Sequence, residues 1–352
     1  MITVVIPTVG RPTLRETIAA IGSGVPVVVV DDRPGSAVAE SVVTDRVASG
    51  TVGDGGGSHS REFGMPTVLK HPPAHVRLVR SGGRGPAAAR NAGWRAADTP
   101  WIVFLDDDVI PEPGWAEALR ADLAGLPGDV AGSQGRIVVP LPRDRPPTDG
   151  ERHTAGLTGA SWVTADMAYR RAALEEAGGF DERFPRAYRE DADLALRVTR
   201  AGHRLVRGAR VTRHPVRQDG FWASVRFQRG NADDALMRRL HGPGWRELIG
   251  GGRGRLRTHA ATTAAGLAAL ALGALAVRVR GPLVPGVRAR LVPALAVTAG
   301  AAWAALTAEF AWRRIAPGPR TPDELWRMTV TSVVIPPVAC AHRMRGEWKV
   351  RR

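Results

Sequence analysis

The stretch Trp101–Val109, WIVFLDDDV, decides the fold. Four consecutive apolar residues lead directly into Asp106, Asp107 and Asp108. A short apolar run that ends at polar residues is typical of a strand buried on both faces, as in a parallel sheet. Alternation along an extended segment would aim Asp106 and Asp108 the same way. Adjacent carboxylates repel one another, and a bound cation would offset that repulsion. The stretch therefore predicts a metal site at the end of the strand, and the alternative is a solvated acidic turn.

The beginning of the chain repeats this arrangement. Residues 2–6 and 26–30 are two further apolar runs, and the second ends on Asp31 and Asp32. The carboxyl ends of parallel strands share the edge at which such sheets bind ligands. Because two successive strands both end in aspartates, a shared binding site is favoured over two unrelated acidic loops.

Further elements alternate between strand and helix up to residue 214. The glycine-rich turn SGGRG at 81–85 opens a helix, but it lacks the spacing of a phosphate-binding loop. Residues 50–65 and 140–151 are predicted to be loops, the first because it is rich in Gly and Ser. The remaining predicted elements are a strand at 76–79, helices at 87–97, 113–123 and 190–201, an extended segment at 130–140 and a strand at 204–212.

A second acidic stretch, AYREDADLALRVTRAG, begins a helix. Leu194, Val198 and Ala201 recur at helical spacing, which places Glu190 and Asp191 in the first turn. The helix dipole stabilises carboxylates at that position, and this is a sufficient structural reason for them. A general base would be placed there for the same reason, so position alone leaves both interpretations open.

Composition excludes several classes of protein. The 352 residues are 44% hydrophobic, enough for a sizeable core. The formal charge of +15 is concentrated in the tail, because residues 215–352 hold 22 Arg or Lys against 8 Asp or Glu. A single cysteine excludes an internal disulfide framework and a multi-cysteine zinc site. The start, MITVVIPT, has no signal-type segment, which predicts a cytoplasmic location for the first part of the chain.

The tail contains two long uncharged stretches, at 259–277 and 291–308. Each is long enough to cross a bilayer, although two buried core helices would look similar. Arginines flank both stretches, and those between them leave open a hairpin that dips into the membrane without crossing it. Residues 330–341 form a third apolar stretch, interrupted by Pro336 and Pro337 and predicted to be interfacial or packed. A basic helix at 221–240 could cover the acceptor side or lie on anionic lipid.

Taken together, residues 1–214 resemble the catalytic domain of family 2 glycosyltransferases, which use nucleotide sugars and have the GT-A fold. The order and spacing of six motifs carry the resemblance. These are VVIPTVGRP at the start, VVVVDD at 27–32, AARNAG at 88–93, FLDDDV at 104–109, GGFDERF at 178–184 and EDADLALR at 190–197.

The resemblance implies roles for individual residues. Asp106 and Asp108 would form a D-x-D element that holds a divalent cation, Mn or Mg, with His214 as a third ligand. Asp191 would be the catalytic base that removes the proton of the acceptor hydroxyl, with Glu190 as the alternative base. The residues implied to bind the nucleotide sugar are Pro7, Thr8, Asp31, Asp32, Arg90, Asp106 and Asp107.

The sequence therefore predicts an α/β protein with a mostly parallel GT-A catalytic domain at 1–214, an amphipathic helical connector at 215–258 and a membrane-associated helical region at 259–352. The predicted function is metal-dependent, inverting transfer of a sugar from a nucleotide-diphosphate sugar to a hydroxyl acceptor of a lipid-linked or cell-envelope glycan. It would take place at the inner membrane, on the cytoplasmic side. The alternatives are a sugar-phosphate nucleotidyltransferase and a non-catalytic membrane-bound module. Nucleic acid is not an expected partner, because the basic residues flank apolar spans.

Overall fold

The computed structural model describes residues 1–35, 68–217, 220–279 and 287–351. They form two compact units. The sheet unit consists of Met1–Val138 and Ser161–Pro215, and the helical unit consists of Val139–Ala160 and Val216–Arg352. The predicted loop at 50–65 lies outside the described residues, and the predicted three-part division of the chain stays a prediction.

The sheet unit alternates strands and helices. Its strands and helices follow the apolar runs of the sequence closely, since each run is the part of the element that faces the core. In chain order they are β1 (Ile2–Thr8), α1 (Leu14–Ile21), β2 (Val27–Asp31), β3 (Val76–Arg80), α2 (Pro86–Arg95), β4 (Trp101–Leu105), β5 (Ile110–Pro111), α3 (Trp115–Leu123), β6 (Val130–Val138), β7 (Asp166–Arg170), α5 (Arg171–Glu176), α6 (Glu190–Arg200) and β8 (Arg204–Arg213).

The strands form one mixed sheet in the order β3-β2-β1-β4-β7-β6-β8-β5. Strands β3, β2, β1 and β4 are parallel, β7 is antiparallel to both of its neighbours, and β6 and β8 are parallel. Parallel pairing of β1 with β2 and β4 brings the ends of these three strands to one edge of the sheet. The polar residues that follow the strands therefore meet at that edge, as Asp31 and Asp106 do.

Both faces of the central strands are buried. All five residues of β2 and of β4 are buried, as the continuous apolar runs predict. Helix α2 packs very closely on this sheet, because a Cβ added to Gly93 would lie 2.3 Å from Val5 Cγ1 and 2.9 Å from Val30 Cγ2. This contact fixes the position of α2, which carries Arg90.

A buried polar cluster supports the end of β8. Asp166 is fully buried and accepts hydrogen bonds from Trp115 Nε1 at 2.7 Å, Arg210 Nε at 2.7 Å and Thr212 Oγ1 at 2.6 Å. A buried charge is tolerated when it is paired and hydrogen-bonded in this way. The cluster anchors the last residues of β8, directly before His214.

The described part of the helical unit contains three long helices and several short ones. Residues 140–151 were predicted to be a loop, yet a helix starts inside them at Asp149, where Thr148 and Glu151 form a reciprocal cap. The elements are α4 (Asp149–Ala155), a 3₁₀ turn (Gly156–Thr158), α7 (Ala223–Arg226), a second 3₁₀ turn (Phe227–Arg229), α8 (Gly230–His241), α9 (Trp245–Leu248), α10 (Leu256–Val279), α11 (Val287–Ile315) and α12 (Pro322–Arg351).

Two helix predictions in the tail are corrected by the structure. The single helix expected at 221–240 is divided into α7 and α8 by the second 3₁₀ turn, and α8 starts at Gly230, a poor helix former. Pro336 and Pro337 do not end a helix, because both lie inside the 30-residue α12. Ser332 and Cys340, on either side of the prolines, contact α11 and α10, and this packing offsets the loss of the proline N–H groups.

A buried arginine ties together distant parts of the helical unit. Arg314, near the end of α11, donates hydrogen bonds to Asp149 Oδ2 at 2.9 Å, Ser224 Oγ at 2.9 Å and Thr331 Oγ1 at 2.8 Å. The backbone N–H of Asp149 in turn donates to Glu324 Oε1 at 2.8 Å. Residues 139–160 are thus held by charged contacts with α11 and α12.

Candidate active site

Two strand ends bring together a group of possible metal ligands. Asp106 and Asp108 follow β4, and His214 follows β8. One ligand atom from each residue lies within 4.8 Å of the others. Asp108 and His214 are buried, whereas Asp106 is partly exposed. The structure therefore brings together the three residues that the sequence predicted as metal ligands.

The donor set of this triad fits a divalent cation. The His214 Nδ1 atom lies 2.9 Å from the carbonyl oxygen of Pro215, which can only accept a hydrogen bond. Nδ1 is therefore the nitrogen that donates a hydrogen bond, and Nε2, 3.9 Å from Asp108 Oδ1, is the atom that would bind a metal. Two carboxylates and one imidazole suit Mn²⁺, and Mg²⁺ would take the carboxylates with water in the remaining positions.

Asp107 lies in the turn that follows β4 and is not one of the three grouped ligands. Its carboxylate accepts hydrogen bonds from Thr8 Oγ1 at 2.6 Å and from Arg11 Nη1 at 2.8 Å, and its carbonyl oxygen accepts one from Thr13 Oγ1 at 2.7 Å. Burial raises the pKa of the Asp107 carboxyl, and the Thr8 hydrogen bond opposes that shift. The hydrogen bond between Thr8 and Asp107 connects the ends of β1 and β4. Binding of the nucleotide sugar by Pro7, Thr8 and Asp107 stays a prediction.

Arg11 was not singled out by the sequence. Its Nη1 lies 2.8 Å from Asp107 Oδ1 and 3.2 Å from Asp108 Oδ2, so one partly exposed guanidinium offsets two adjacent carboxylates. Strands β1 and β4 are neighbours in the sheet, and Arg11 follows β1 as the aspartates follow β4. A prediction of this pairing would have indicated that Arg11 lies near the aspartates. Arg11 reduces the repulsion within the aspartate triplet.

Arg90 connects the triad to the second acidic stretch. Its side chain is 1% exposed, and it donates to Asp106 Oδ1 at 2.9 Å and to Glu190 Oε1 at 2.7 Å. The Arg90 Nε and Glu190 Oε2 atoms are buried without a hydrogen-bond partner in the described part of the chain. Arg90, predicted to lie near the donor, is the buried link between β4 and the start of α6.

Glu190 and Asp191 occupy the first turn of α6, as predicted. Arg189, just before them, has a left-handed backbone with φ of 79°, which is unusual for a residue with a side chain and costs about 1–3 kcal/mol. Glu190 is 1% exposed and held by Arg90, whereas Asp191 is partly exposed. Of the two, Asp191 is therefore the carboxylate that a substrate can reach.

The two carboxyls have raised pKa values. Burial is the main cause for each, and the negative charge of Asp191 raises the pKa of Glu190 further, while Arg90 opposes both shifts. A carboxyl whose pKa lies above that of an ordinary aspartic acid holds its proton to a higher pH. This property is typical of groups that transfer protons in enzymes.

A pH dependence follows from the raised pKa of Asp191. A general base acts only when deprotonated, so the rate falls as the pH is lowered through its pKa. We expect the acid limb of the rate profile to lie above pH 3.8, the ordinary value for an aspartic acid. The measurement is kcat/KM between about pH 8 and pH 4, at saturating metal. A profile that stays flat over this interval would contradict the assignment.

Asp31 and Asp32 are both buried at the end of β2. Asp31 accepts from Arg33 Nε at 2.9 Å and Nη2 at 2.7 Å. Asp32 accepts from Ser81 Oγ at 2.7 Å and from the backbone N–H of Gly85 at 2.9 Å. Asp32 thereby fixes the glycine-rich turn that precedes α2, and the nucleoside-binding role of the pair stays a prediction.

Comparison with known proteins finds similarity to glycosyltransferases over part of the chain. Residues 68–178 match the family model "Glycosyl transferase family 2". Two strains of Mycobacterium tuberculosis have a pre-mycofactocin glycosyltransferase that is 34% identical over 151 residues, which is 39% of this chain and 29% of the relative. The chain thus aligns with less than a third of the length of these relatives.

The structural comparison concerns the fold. The mannosyltransferase PcManGT from Pyrobaculum calidifontis, solved in complex with GDP-Man and Mn²⁺, superposes with a TM-score of 0.50 at 18% identity, covering 99% of this chain and 87% of that chain. The predicted fold class, a GT-A α/β domain followed by a helical region, is confirmed. Residues 68–178 thus carry the sequence signature of glycosyltransferase family 2, and the sheet unit has the GT-A fold.

Proposed function

We propose that this protein transfers a glycosyl group from a nucleotide-diphosphate sugar to a hydroxyl acceptor, with a divalent cation held by Asp106, Asp108 and His214. The observation that carries this proposal is the chain of contacts from Asp106 through Arg90 to Glu190, the neighbour of Asp191. Candidate metal ligands and a candidate base thereby belong to one connected site within the sheet unit.

The residue types fit the chemistry of glycosyl transfer. Departure of the nucleoside diphosphate develops negative charge, and a divalent cation would stabilise it as a Lewis acid. Asp191 would accept the proton of the acceptor hydroxyl while that oxygen attacks the anomeric carbon. A single base and a direct displacement invert the configuration at that carbon. Arg90 would hold Asp106 and Glu190 in place during this step.

Removal of one metal ligand tests the cation site. We expect Mn²⁺ or Mg²⁺ to raise the Tm of the full chain, because a ligand that binds only the folded state stabilises it. Asp108→Ala should abolish that rise, and thermal unfolding with and without metal measures it. The matched control is Asp98→Ala, which removes an exposed aspartate before β4. A full metal-dependent rise in Asp108→Ala, or an equal loss in the control, would refute the metal site.

The donor is identified by incubating the full chain with metal and UDP-, GDP- or dTDP-sugars and measuring release of the nucleoside diphosphate. Release supports a glycosyltransferase and counts against a non-catalytic module. A nucleotidyltransferase would instead form pyrophosphate from a nucleoside triphosphate and a sugar phosphate. The same preparation tests both reactions.

We further propose that the protein is bound to the inner membrane, with the sheet unit in the cytoplasm and a lipid-linked or cell-envelope acceptor. Two helices of the described chain, Leu256–Arg278 and Arg290–Ile315, are long and apolar enough to span a bilayer, with mean hydropathy of 1.9 and 1.7. Only 11% and 6% of these segments are buried, unlike core helices of a soluble protein. Their small residues pack closely, since a Cβ added to Gly266 would lie 2.9 Å from Trp303 Cδ1.

A further inference from the structure

We propose that α12 lies in the membrane surface as an interfacial helix, with one apolar stripe in contact with lipid. The inference rests on the membrane association proposed above and adds a second, separate contact with the bilayer. It is argued from the helical unit alone.

The stripe is a row of exposed or partly exposed apolar residues along α12. They are three, four or seven residues apart, so they share one face of a helix with 3.6 residues per turn. Trp326 is 65% exposed, Met344 66% and Trp348 54%. The row runs from Trp326 to Trp348, about 33 Å along the helix. Its members are Trp326, Val330, Val333, Pro337, Met344 and Trp348.

The opposite face of α12 packs against the rest of the helical unit. Met328, Ile335 and Ala339 lie on that face and are at most 2% exposed. Near the end of the helix, a Cβ added to Gly346 would lie 2.6 Å from the carbonyl oxygen of Ala232 in α8. Because α12 is fixed by this face, the stripe is turned outward and stays uncovered by the described part of the unit.

Helices α10 and α11 pair in antiparallel fashion. Arg255 Nη2 lies 2.6 Å from Glu309 Oε2, and the rings of His259 and Phe310 are 4.9 Å apart. The start of α10 and the end of α11 therefore share one end of the helical pair. If the pair spans a bilayer, this end lies at one of the two water sides, and the opposite end, which carries Arg278 and Arg290, lies at the other.

The middle of α12 crosses this end of the pair. Arg314 of α11 donates to Ser332 Oγ at 3.0 Å, and Thr263 Oγ1 of α10 lies 3.8 Å from Cys340 Sγ. Ser332 and Cys340 therefore lie within about two helical turns of this end of the pair, near the place where the spans would leave the hydrocarbon. A helix near that boundary, with tryptophan and basic residues on its exposed side, favours lipid over a second protein as the occupant.

The side chains of the stripe suit the interface. A tryptophan stands at each end, and tryptophan is enriched at the boundary between hydrocarbon and headgroups. The exposed residues Arg345 and Lys349 lie beside the stripe, where they could contact anionic headgroups. Proline inside α12 is also compatible with this position, because α12 need not span the membrane.

Site-directed labels test the proposal in the full chain. Cys340 is the only cysteine, so a Cys340→Ala background accepts one new cysteine at a time. Nitroxide labels are placed on the stripe by Val333→Cys and Met344→Cys, and on exposed polar control positions by Arg345→Cys and Lys349→Cys. A Leu270→Cys label, at a 73% exposed position of α10, marks insertion of the helical pair. The protein is reconstituted in vesicles of phosphatidylcholine and phosphatidylglycerol.

The readout is collision of each label with oxygen, which enters lipid, and with a nickel chelate, which stays in water. We expect collision with the chelate at positions 333 and 344 to fall below about half of that at 345 and 349, because lipid excludes the chelate. Chelate access at 333 and 344 equal to the controls, with Leu270→Cys shielded, would overturn the interfacial helix alone. If Leu270→Cys is accessible as well, membrane association itself fails. Spin–spin broadening at position 344 would show that a second copy covers the stripe and would also overturn the proposal.

Discussion

Asp191→Asn is expected to lower the rate of the proposed glycosyl transfer by about 10²–10⁴-fold, the usual contribution of a general base. The amide keeps the size of the side chain and cannot accept the proton of the acceptor hydroxyl. Asp191 has no hydrogen bond to the metal triad among the described contacts, so donor and metal binding should persist. Transfer to an acceptor and equilibrium binding of the nucleotide sugar are measured on the same preparation.

Glu190→Gln is the matched control for this prediction. Glu190 is buried and accepts a hydrogen bond from Arg90, so its amide variant keeps the shape of the site while its loss of charge weakens that contact. We expect a smaller loss of transfer in Glu190→Gln than in Asp191→Asn, together with a lower Tm. The reverse order of the two rates would identify Glu190 as the base, and an equal loss of donor binding in both variants would contradict the separation of roles.

Arg90→Met is expected to destabilise the protein by about 3–5 kcal/mol, the usual cost of breaking a buried ion pair from one side. Arg90 offsets the charges of Asp106 and Glu190, and without it Glu190 is left buried beside Asp191 with no cation. Denaturant unfolding of the full chain, followed by a probe in the sheet unit, measures the change.

Two further variants make this second prediction specific. Arg95→Met changes an exposed arginine of the same helix, and its effect should stay within about 1 kcal/mol. In the double variant Arg90→Met with Glu190→Met, the loss should be smaller than the sum of the two single losses, since the unpaired carboxylate is gone. Additive losses would mean that Arg90 and Glu190 do not stabilise each other.

The sheet could be predicted from the sequence because its strands are continuous apolar runs. Residues 27–31 and 101–105 are buried throughout, and a run of that length between breakers has few other interpretations. Helix α6 was equally clear, since its apolar residues recur at helical spacing. The order of strands, with β7 antiparallel between β4 and β6, depends on pairings between distant residues and left no local signal.

The sequence predicted most of the residues that form the candidate site, but it did not predict the hydrogen bonds and ion pairs that join them. The proximity of Asp106, Asp108 and His214 was proposed from motif positions, and the structure brings them together. The bridging position of Arg90 could not be predicted, because Arg90 and Glu190 are 100 residues apart in the chain. The same applies to Arg11, whose two carboxylate partners follow a different strand.

The tail was harder to predict for a different reason. Its helices are rich in Ala, so periodicity is weak, and proline was taken as a breaker at Pro336 and Pro337. Contacts with α8 and with the helical pair keep α12 continuous through both prolines. Tertiary packing decides the structure here, and local propensity does not.

The path of the chain through the two units limits how the protein can be shortened. The chain leaves the sheet unit after Val138, contributes residues 139–160 to the helical unit, and returns at Ser161. A version cut after residue 215 would therefore retain Asp149 without its Arg314 and Glu324 partners, and would leave residues 139–160 without the helices that they contact. A working truncation has to excise residues 139–160 as well and join the ends of the gap with a short linker.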